Sequence, residues 1–264
     1  MTEVSSIQHI NAELTRACNL RCDYCFNDSE KVMSGELSTQ EWKTAINIAK
    51  GYGAKSSLFT GGEITARKNF SEIINHSLEQ ELRTSILSNG FRIREYGENI
   101  RMLERVQISL DSASPYTHDA RRGEGSWKIA RSAIDYVRER GVPVEISSVI
   151  SEDRVNELEG LAGIVYLTGS KILVRPMQSI GRASTNMPKN LNRLIANKKE
   201  DIEKRFANRD KFCGNIFVND FAMYVPILGA THDKTVIPQG YITILPDGII
   251  RGTNQNILGI HMAA

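Results

Sequence analysis

Cys18, Cys22 and Cys25 stand in the run Cys-Asn-Leu-Arg-Cys-Asp-Tyr-Cys, with three residues and then two between them. That spacing brings three thiols around one small volume. Thiolates are the usual ligands of cubane iron-sulfur clusters, and a [4Fe-4S] cube closed by protein alone takes four of them. Three suit a cube with one iron left open for another ligand. Two other readings compete, a zinc site and unconnected buried thiols. Structural zinc closes a tetrahedron, often from two CxxC-like pairs. Only Cys213 remains, far along the chain, and no histidine follows at zinc-finger spacing. His9 could complete a site, although a histidine in a strand is more often a packed or solvated side chain. The spacing favours the cluster.

A cluster loop must be carried by regular elements. Residues 7–14 alternate apolar with polar, as a half-buried strand does, and run straight into the first cysteine. Ser38-Thr-Gln-Glu41 has the form of a capping box, after which Trp42, Ala45, Ile46 and Ala49 recur at helical spacing until Gly51 and Gly53. Further strands are expected at 57–60, 84–87, 106–110, 144–150 and 171–174, with helical stretches near 70–81, 92–102, 127–140 and 152–167. Six strands alternating with five helical stretches imply a parallel sheet with right-handed crossovers. Six units fall short of the eight that close a barrel. In such sheets ligands gather at the carboxyl ends of the strands.

The polar motifs fall at those ends. Strand two exits through Gly61-Gly62-Glu63, where missing Cβ atoms let the backbone approach a ligand and the acid can meet an ammonium. Strand three exits through Ser88-Asn89-Gly90, which could offer hydrogen bonds to a ribose or carboxylate. Strand four carries Ser109 and Asp111 on one face, and inward polar groups are costly unless paired. Then comes His118-Asp-Ala-Arg-Arg122-Gly123-Glu-Gly125. Arg121 or Arg122 could fork onto a carboxylate or sit solvated on the surface. Strand six exits through Gly181-Arg182.

With Tyr24 before the last cysteine, these motifs in this order resemble the radical S-adenosylmethionine (radical SAM) superfamily, over about residues 7–183. The resemblance is to its peptide-maturing, SPASM/twitch-type branch. It implies an α/β partial (β/α)6 barrel over residues 1–183 and, over 184–264, a helical bridge with a short degenerate or truncated SPASM/twitch-like extension. It implies one [4Fe-4S] cluster on Cys18, Cys22 and Cys25, with SAM on the open iron. SAM contacts would come from Tyr24, Gly61, Gly62, Glu63, Ser88, Asn89, Ser109, Asp111 and Arg122, with Arg122 on its carboxylate and the 181–182 backbone near adenine. The family commonly has proline after the glutamate, where this chain has Ile64.

The C-terminal third departs from that pattern. Residues 190–210 read as an amphipathic helix with a charged outer face. Asp247-Gly248 joins two short strands as a hairpin, but Gly252 stands where the extension's first cluster cysteine would follow, and Leu258-Gly259-Ile260 also lacks its cysteines. Cys213 alone cannot hold a second cube.

Composition narrows the partners. A formal charge of +2 on 264 residues gives no electrostatic case for nucleic acid or an anionic membrane. No apolar run reaches bilayer length, and residues 1–10 lack a signal pattern. A cytoplasmic location with a reducing environment is expected. The resemblance implies reductive SAM cleavage to a 5′-deoxyadenosyl radical by way of flavodoxin or ferredoxin, and hydrogen abstraction from a ribosomally made peptide with crosslinking, oxidation or epimerisation. A small metabolite on the way to a cofactor or antibiotic is the alternative substrate. For epimerisation Cys213 would be the hydrogen donor, against its reading as a small buried hydrophobe. A non-catalytic iron-sulfur or partner module is the alternative to an enzyme.

Overall fold

Ser38 opens the first helix as its sequence requires: the Glu41 amide donates to Ser38 Oγ and the Ser38 amide to Glu41 Oε2. The computed structural model describes residues 7–183, 190–206, 216–218 and 241–252. In chain order the elements are β1 His9–Glu13, α1 Thr39–Gly51, β2 Ser56–Thr60, α2 Phe70–Glu79, β3 Arg83–Ser88, β4 Arg105–Ser109, α3 Pro115–Arg122, α4 Ser126–Glu139 and β5 Val144–Ile150. They continue with α5 Glu157–Thr168, β6 Lys171–Pro176, α6 Leu191–Phe206, β7 Ile216–Val218, β8 Tyr241–Ile244 and β9 Ile250–Gly252.

One sheet runs β7-β6-β5-β4-β3-β2-β1-β8-β9. Strands β1 to β7 lie in sequence order and all pair in parallel, which is the expected partial barrel with a further short strand on β6. At the other edge β8 pairs in parallel with β1, from His9 opposite Tyr241 to Ala12 opposite Ile244, and β9 returns antiparallel as a hairpin. The alternation of 241–244 announces a strand but not its partner. Leu258-Gly259-Ile260 lies outside the described residues.

Period-2 alternation gives each strand two unlike faces. Outward, Ile10, Phe59, Ile86, Val106, Ile108 and Ile146 pack against helix residues such as Trp42, Ile74, Ile134 and Val137, all buried, each worth roughly 1.5–3 kcal/mol on burial. Inward, the register sets Gln107 beside Glu145 and Ser109 beside Ser147. These polar groups satisfy one another: Arg175 donates to Ser147 Oγ at 2.6 Å and to Gln107 Oε1 at 3.1 Å, and Gln107 donates to Glu145 at 2.6 Å.

One helical stretch is refined and one turn corrected. Residues 92–102 form a 3-10 segment, Ile93–Met102, broken at Gly97 by a φ of 64°. The stretch before Gly123, where the sequence announces no helix, is helix α3, with Ser114 accepting from the Thr117 amide and Pro115 opening the first turn.

Candidate active site

The cysteine loop leaves the carboxyl end of β1 and is braced from within. Glu36 Oε1 accepts from Thr15 Oγ1 at 3.1 Å, the Arg16 amide at 2.8 Å and the Met33 amide at 3.0 Å, which ties the start of the loop to its end. Cys18, Cys22 and Cys25 are each half-buried. All three line one cavity of about 1340 Å³, mouth included, with Tyr24, Gly61, Gly62, Ser88, Asn89, Ser109 and Arg122 also in its wall. Cys213 lies outside the described residues.

Burial pushes the Cys18 thiol up to about 12 and raises Cys22 as well. In the metal-free chain Cys18 and Cys22 therefore favour the protonated thiol, which a metal must deprotonate on binding. Among the described residues no three thiol, imidazole or carboxylate groups close on a single ion. Three thiols around one cavity suit the corners of a cube, where each sulfur binds a different iron. His9 is no fourth ligand. It sits at the start of β1, four residues from the strand's carboxyl end, with Nδ1 2.9 Å from Ser56 Oγ and its ring on Tyr241. Burial, then Arg105 and Arg83, hold it neutral with a pKa of about 4.

Gly61 and Gly62 face the cavity, yet the cysteine loop is what excludes a side chain there. The Gly62 amide donates to Thr15 O at 2.7 Å and the Glu63 amide to Ala17 O at 2.8 Å. A Cβ on Gly62 would stand 2.2 Å from Ala17 O, and one on Gly61 2.5 Å from Thr15 O, at a φ of +140°. Gly62→Ala is therefore expected to cost about 1–3 kcal/mol and to displace the loop that carries Cys18. A lowered thermal midpoint together with reduced iron uptake after reconstitution checks this.

Glu63 itself is fully buried. Its Oε1 accepts from the Thr65 amide, Thr65 Oγ1 and Ser88 Oγ, and its Oε2 from the Asn89 amide at 2.7 Å. Burial raises its pKa, and the four donors work against that rise. Ser88 is equally occupied, since its oxygen also accepts from the Gly90 amide. Both residues thus set the shape of the β2 and β3 exits. Asn89 reaches further: its Nδ2 donates to Asn19 Oδ1 at 2.9 Å and lies 4.0 Å from Cys18 Sγ.

On the far side, Asp111 gathers Arg122, Tyr24 and the β5 backbone. Arg122 Nε and Nη2 fork onto its two oxygens at 2.6 and 3.0 Å, Tyr24 Oη donates to Oδ2, and the Val149 amide to Oδ1 at 2.9 Å. Burial alone would raise the Asp111 carboxyl, but the Arg122 guanidinium outweighs it and holds the pKa at about 2. Burial likewise opposes charge on Arg122, and Asp111 reverses the effect. Arg122 keeps an edge in the cavity wall while Asp111 and Glu63 stand behind it. Arg121 stacks over the Tyr24 ring at 4.1 Å and donates to Asp23. Asn11 and Glu13 also line the cavity, although the motifs in the sequence do not single them out, and Arg175 lines it from the strand-six exit. For Glu13 a signal existed, an acid at an alternating strand position directly before the cysteines.

Fold and site together define a parallel α/β half-barrel with a thiol-lined cofactor cavity at its carboxyl mouth. The model of the Radical SAM superfamily matches residues 12–153, more than half of the chain, and the chain belongs to that superfamily, whose cofactors are a [4Fe-4S] cluster and SAM. It is 31% identical over 176 residues to mycofactocin maturase MftC of Mycolicibacterium smegmatis, covering 65% of this chain and 45% of MftC. To the sporulation killing factor maturation protein SkfB of Bacillus subtilis it is 30% identical over 184 residues, covering 65% of this chain and 43% of SkfB. The match thus spans less than half the length of these curated relatives. The fold superposes on Streptococcus suis SuiB bound to S-adenosylmethionine with a TM-score of 0.78 at 16% identity, covering 98% of this chain and 63% of SuiB.

Proposed function

We propose that this chain cleaves SAM reductively at a [4Fe-4S] cluster on Cys18, Cys22 and Cys25 and takes a hydrogen atom from a ribosomally made peptide. The observation that carries the reading is the convergence of three half-buried thiols with Gly61, Gly62, Asn89, Ser109 and Arg122 on one cavity. Relatives named as maturases support the peptide, as does SuiB, whose structure is known bound to a precursor peptide. When bound, the cluster would supply one electron and SAM the sulfonium that accepts it, whose carbon–sulfur bond would break to give methionine and a carbon radical.

The chain's own residues bind, orient and enclose. Gly61 and Gly62 hold the cysteine loop against β2. Asn89 lends a donor near Cys18. Tyr24 and Arg122, fixed by Asp111, wall the cavity beside Cys22 and Cys25. The barrel wall limits access of water to the reacting atoms. Every described residue of this cavity precedes residue 184, which supports residues 1–183 as the catalytic core and 184–264 as an appended segment. Flavodoxin or ferredoxin in the cytoplasm would deliver the electron. No helix among the described residues is long and apolar enough to cross a membrane.

The test is anaerobic reconstitution with iron and sulfide, strong chemical reduction, and measurement of 5′-deoxyadenosine with and without candidate precursor peptides. SAM cleavage stimulated by a peptide is the expected result. Zinc in the purified protein, or a cluster spectrum indifferent to SAM, would sink the assignment. Stimulation by a small metabolite alone would replace the peptide.

A further inference from the structure

The exit of β6 ends in Gly181-Arg182, more than 150 residues after the cysteines, yet its polar groups are spent on the cysteine loop. The Arg182 amide donates to Cys25 O at 3.0 Å. Its Nε donates to Cys22 O at 2.8 Å, its Nη2 to Ser29 O at 3.1 Å, and its Nη1 to Asp28 Oδ1 at 2.6 Å. Gly181, at a φ of +66°, lies so close that a Cβ would stand 2.3 Å from Cys25 O and 2.6 Å from Phe26 O. The loop needs such support, because within it Asp28 occupies left-handed backbone at a φ of 48°, and the Asp28 carboxylate is one of the groups Arg182 holds. Arg182 also lines the cavity.

From these contacts we infer that Arg182 is a positioning residue for the cluster: one guanidinium and one amide fix the carbonyls of Cys22, Cys25 and Ser29, and thereby the directions in which two of the three thiols point. A planar fork with several fixed donors can satisfy three separate acceptors at once, whereas a lysine ammonium reaches a single point. Among the described residues the hydrogen-bond partners of Arg182 all belong to residues 22–29, so its removal loosens the loop without touching the sheet. The inference rests on the cluster assignment proposed above, and it adds a specific residue and a mechanical role that the cysteines alone do not imply.

The test compares wild type, Arg182→Ala and Arg182→Lys in two states. In the metal-free proteins, hydrogen–deuterium exchange is expected to rise in residues 22–29 of Arg182→Ala, with the sheet amides unchanged. In the reconstituted proteins, iron should pass to a chelator about ten-fold faster from Arg182→Ala, as the loss of several hydrogen bonds of modest net worth predicts. Its reduced cluster should also show an altered electron paramagnetic resonance spectrum. Arg182→Lys should fall between the two. Wild-type protein that takes up no iron defeats the cluster assignment itself. Wild type that holds a cluster while Arg182→Ala keeps iron equally long and exchanges equally slowly at 22–29 overturns the positioning role. Should Arg182→Ala fail to fold, Arg182→Lys carries the test, and wild-type iron retention in that variant overturns the inference.

Discussion

Cys22→Ala is expected to reduce 5′-deoxyadenosine formation by more than about a thousand-fold, as removal of one member of a functional unit does, while the barrel melts within about 1 kcal/mol of wild type. The two halves of this result have separate causes. In the proposed assignment Cys22 would offer one corner of the cube, and a fourth cysteine is lacking in the loop to replace it. Its contribution to the metal-free fold is small, because the braces of the loop are elsewhere: Glu36 on the Thr15, Arg16 and Met33 donors, and the Gly62 and Glu63 amides on Thr15 and Ala17. Burial already disfavours the charged thiolate of Cys18 and Cys22, so the apoprotein carries neutral thiols whose deletion strands no charge. Iron analysis, SAM cleavage and thermal unfolding of the metal-free variant check the three parts together. A variant that keeps full activity would place the chemistry at other residues.

The parts of this site legible in the sequence are those where pattern and chemistry coincide. Cys18, Cys22 and Cys25 carry their spacing in the chain, and the capping box at Ser38 and Glu41 closes as written. The strands were readable because their outward residues are apolar at every second position. Helix α3 was not, and the reason is physical. Its inner face is His118, Arg121 and Arg122, all buried, so it has no apolar stripe for a periodicity argument to find. A helix that buries polar residues at a functional site breaks the very rule by which helices are recognised. Long-range contacts were hidden for a different reason. Arg182 is plain as an arginine, but its partners at 22–29 are joined to it only by the closure of the sheet. The glycines of the β2 exit were visible as a pair, whereas the close approach of Thr15 O and Ala17 O that excludes their side chains is a property of the folded loop.

Asp111→Asn should lower the thermal midpoint by about 10 °C, since breaking a buried ion pair by removing one partner costs about 3–5 kcal/mol and a domain of this size loses about 2–4 °C per kcal/mol. Arg122 is then left buried, charged and without its carboxylate, and Tyr24 loses the acceptor of its hydroxyl. The pH dependence separates this cause from simple misfit. Asp111 has its folded pKa held down at about 2 from an ordinary 3.8, so the unfolded chain binds the proton more readily than the folded one. The stability it contributes is fully present above about pH 4 and is lost as the pH falls towards 2. Wild type should therefore lose stability through that window more steeply than Asp111→Asn, and the two unfolding curves should converge on the acid side. Tyr24 lies between Cys22 and Cys25, so the same variant should also hold its cluster less firmly. Parallel curves with a constant gap would mean that the Asp111 carboxylate is not the charge that keeps Arg122 and the tyrosine in place.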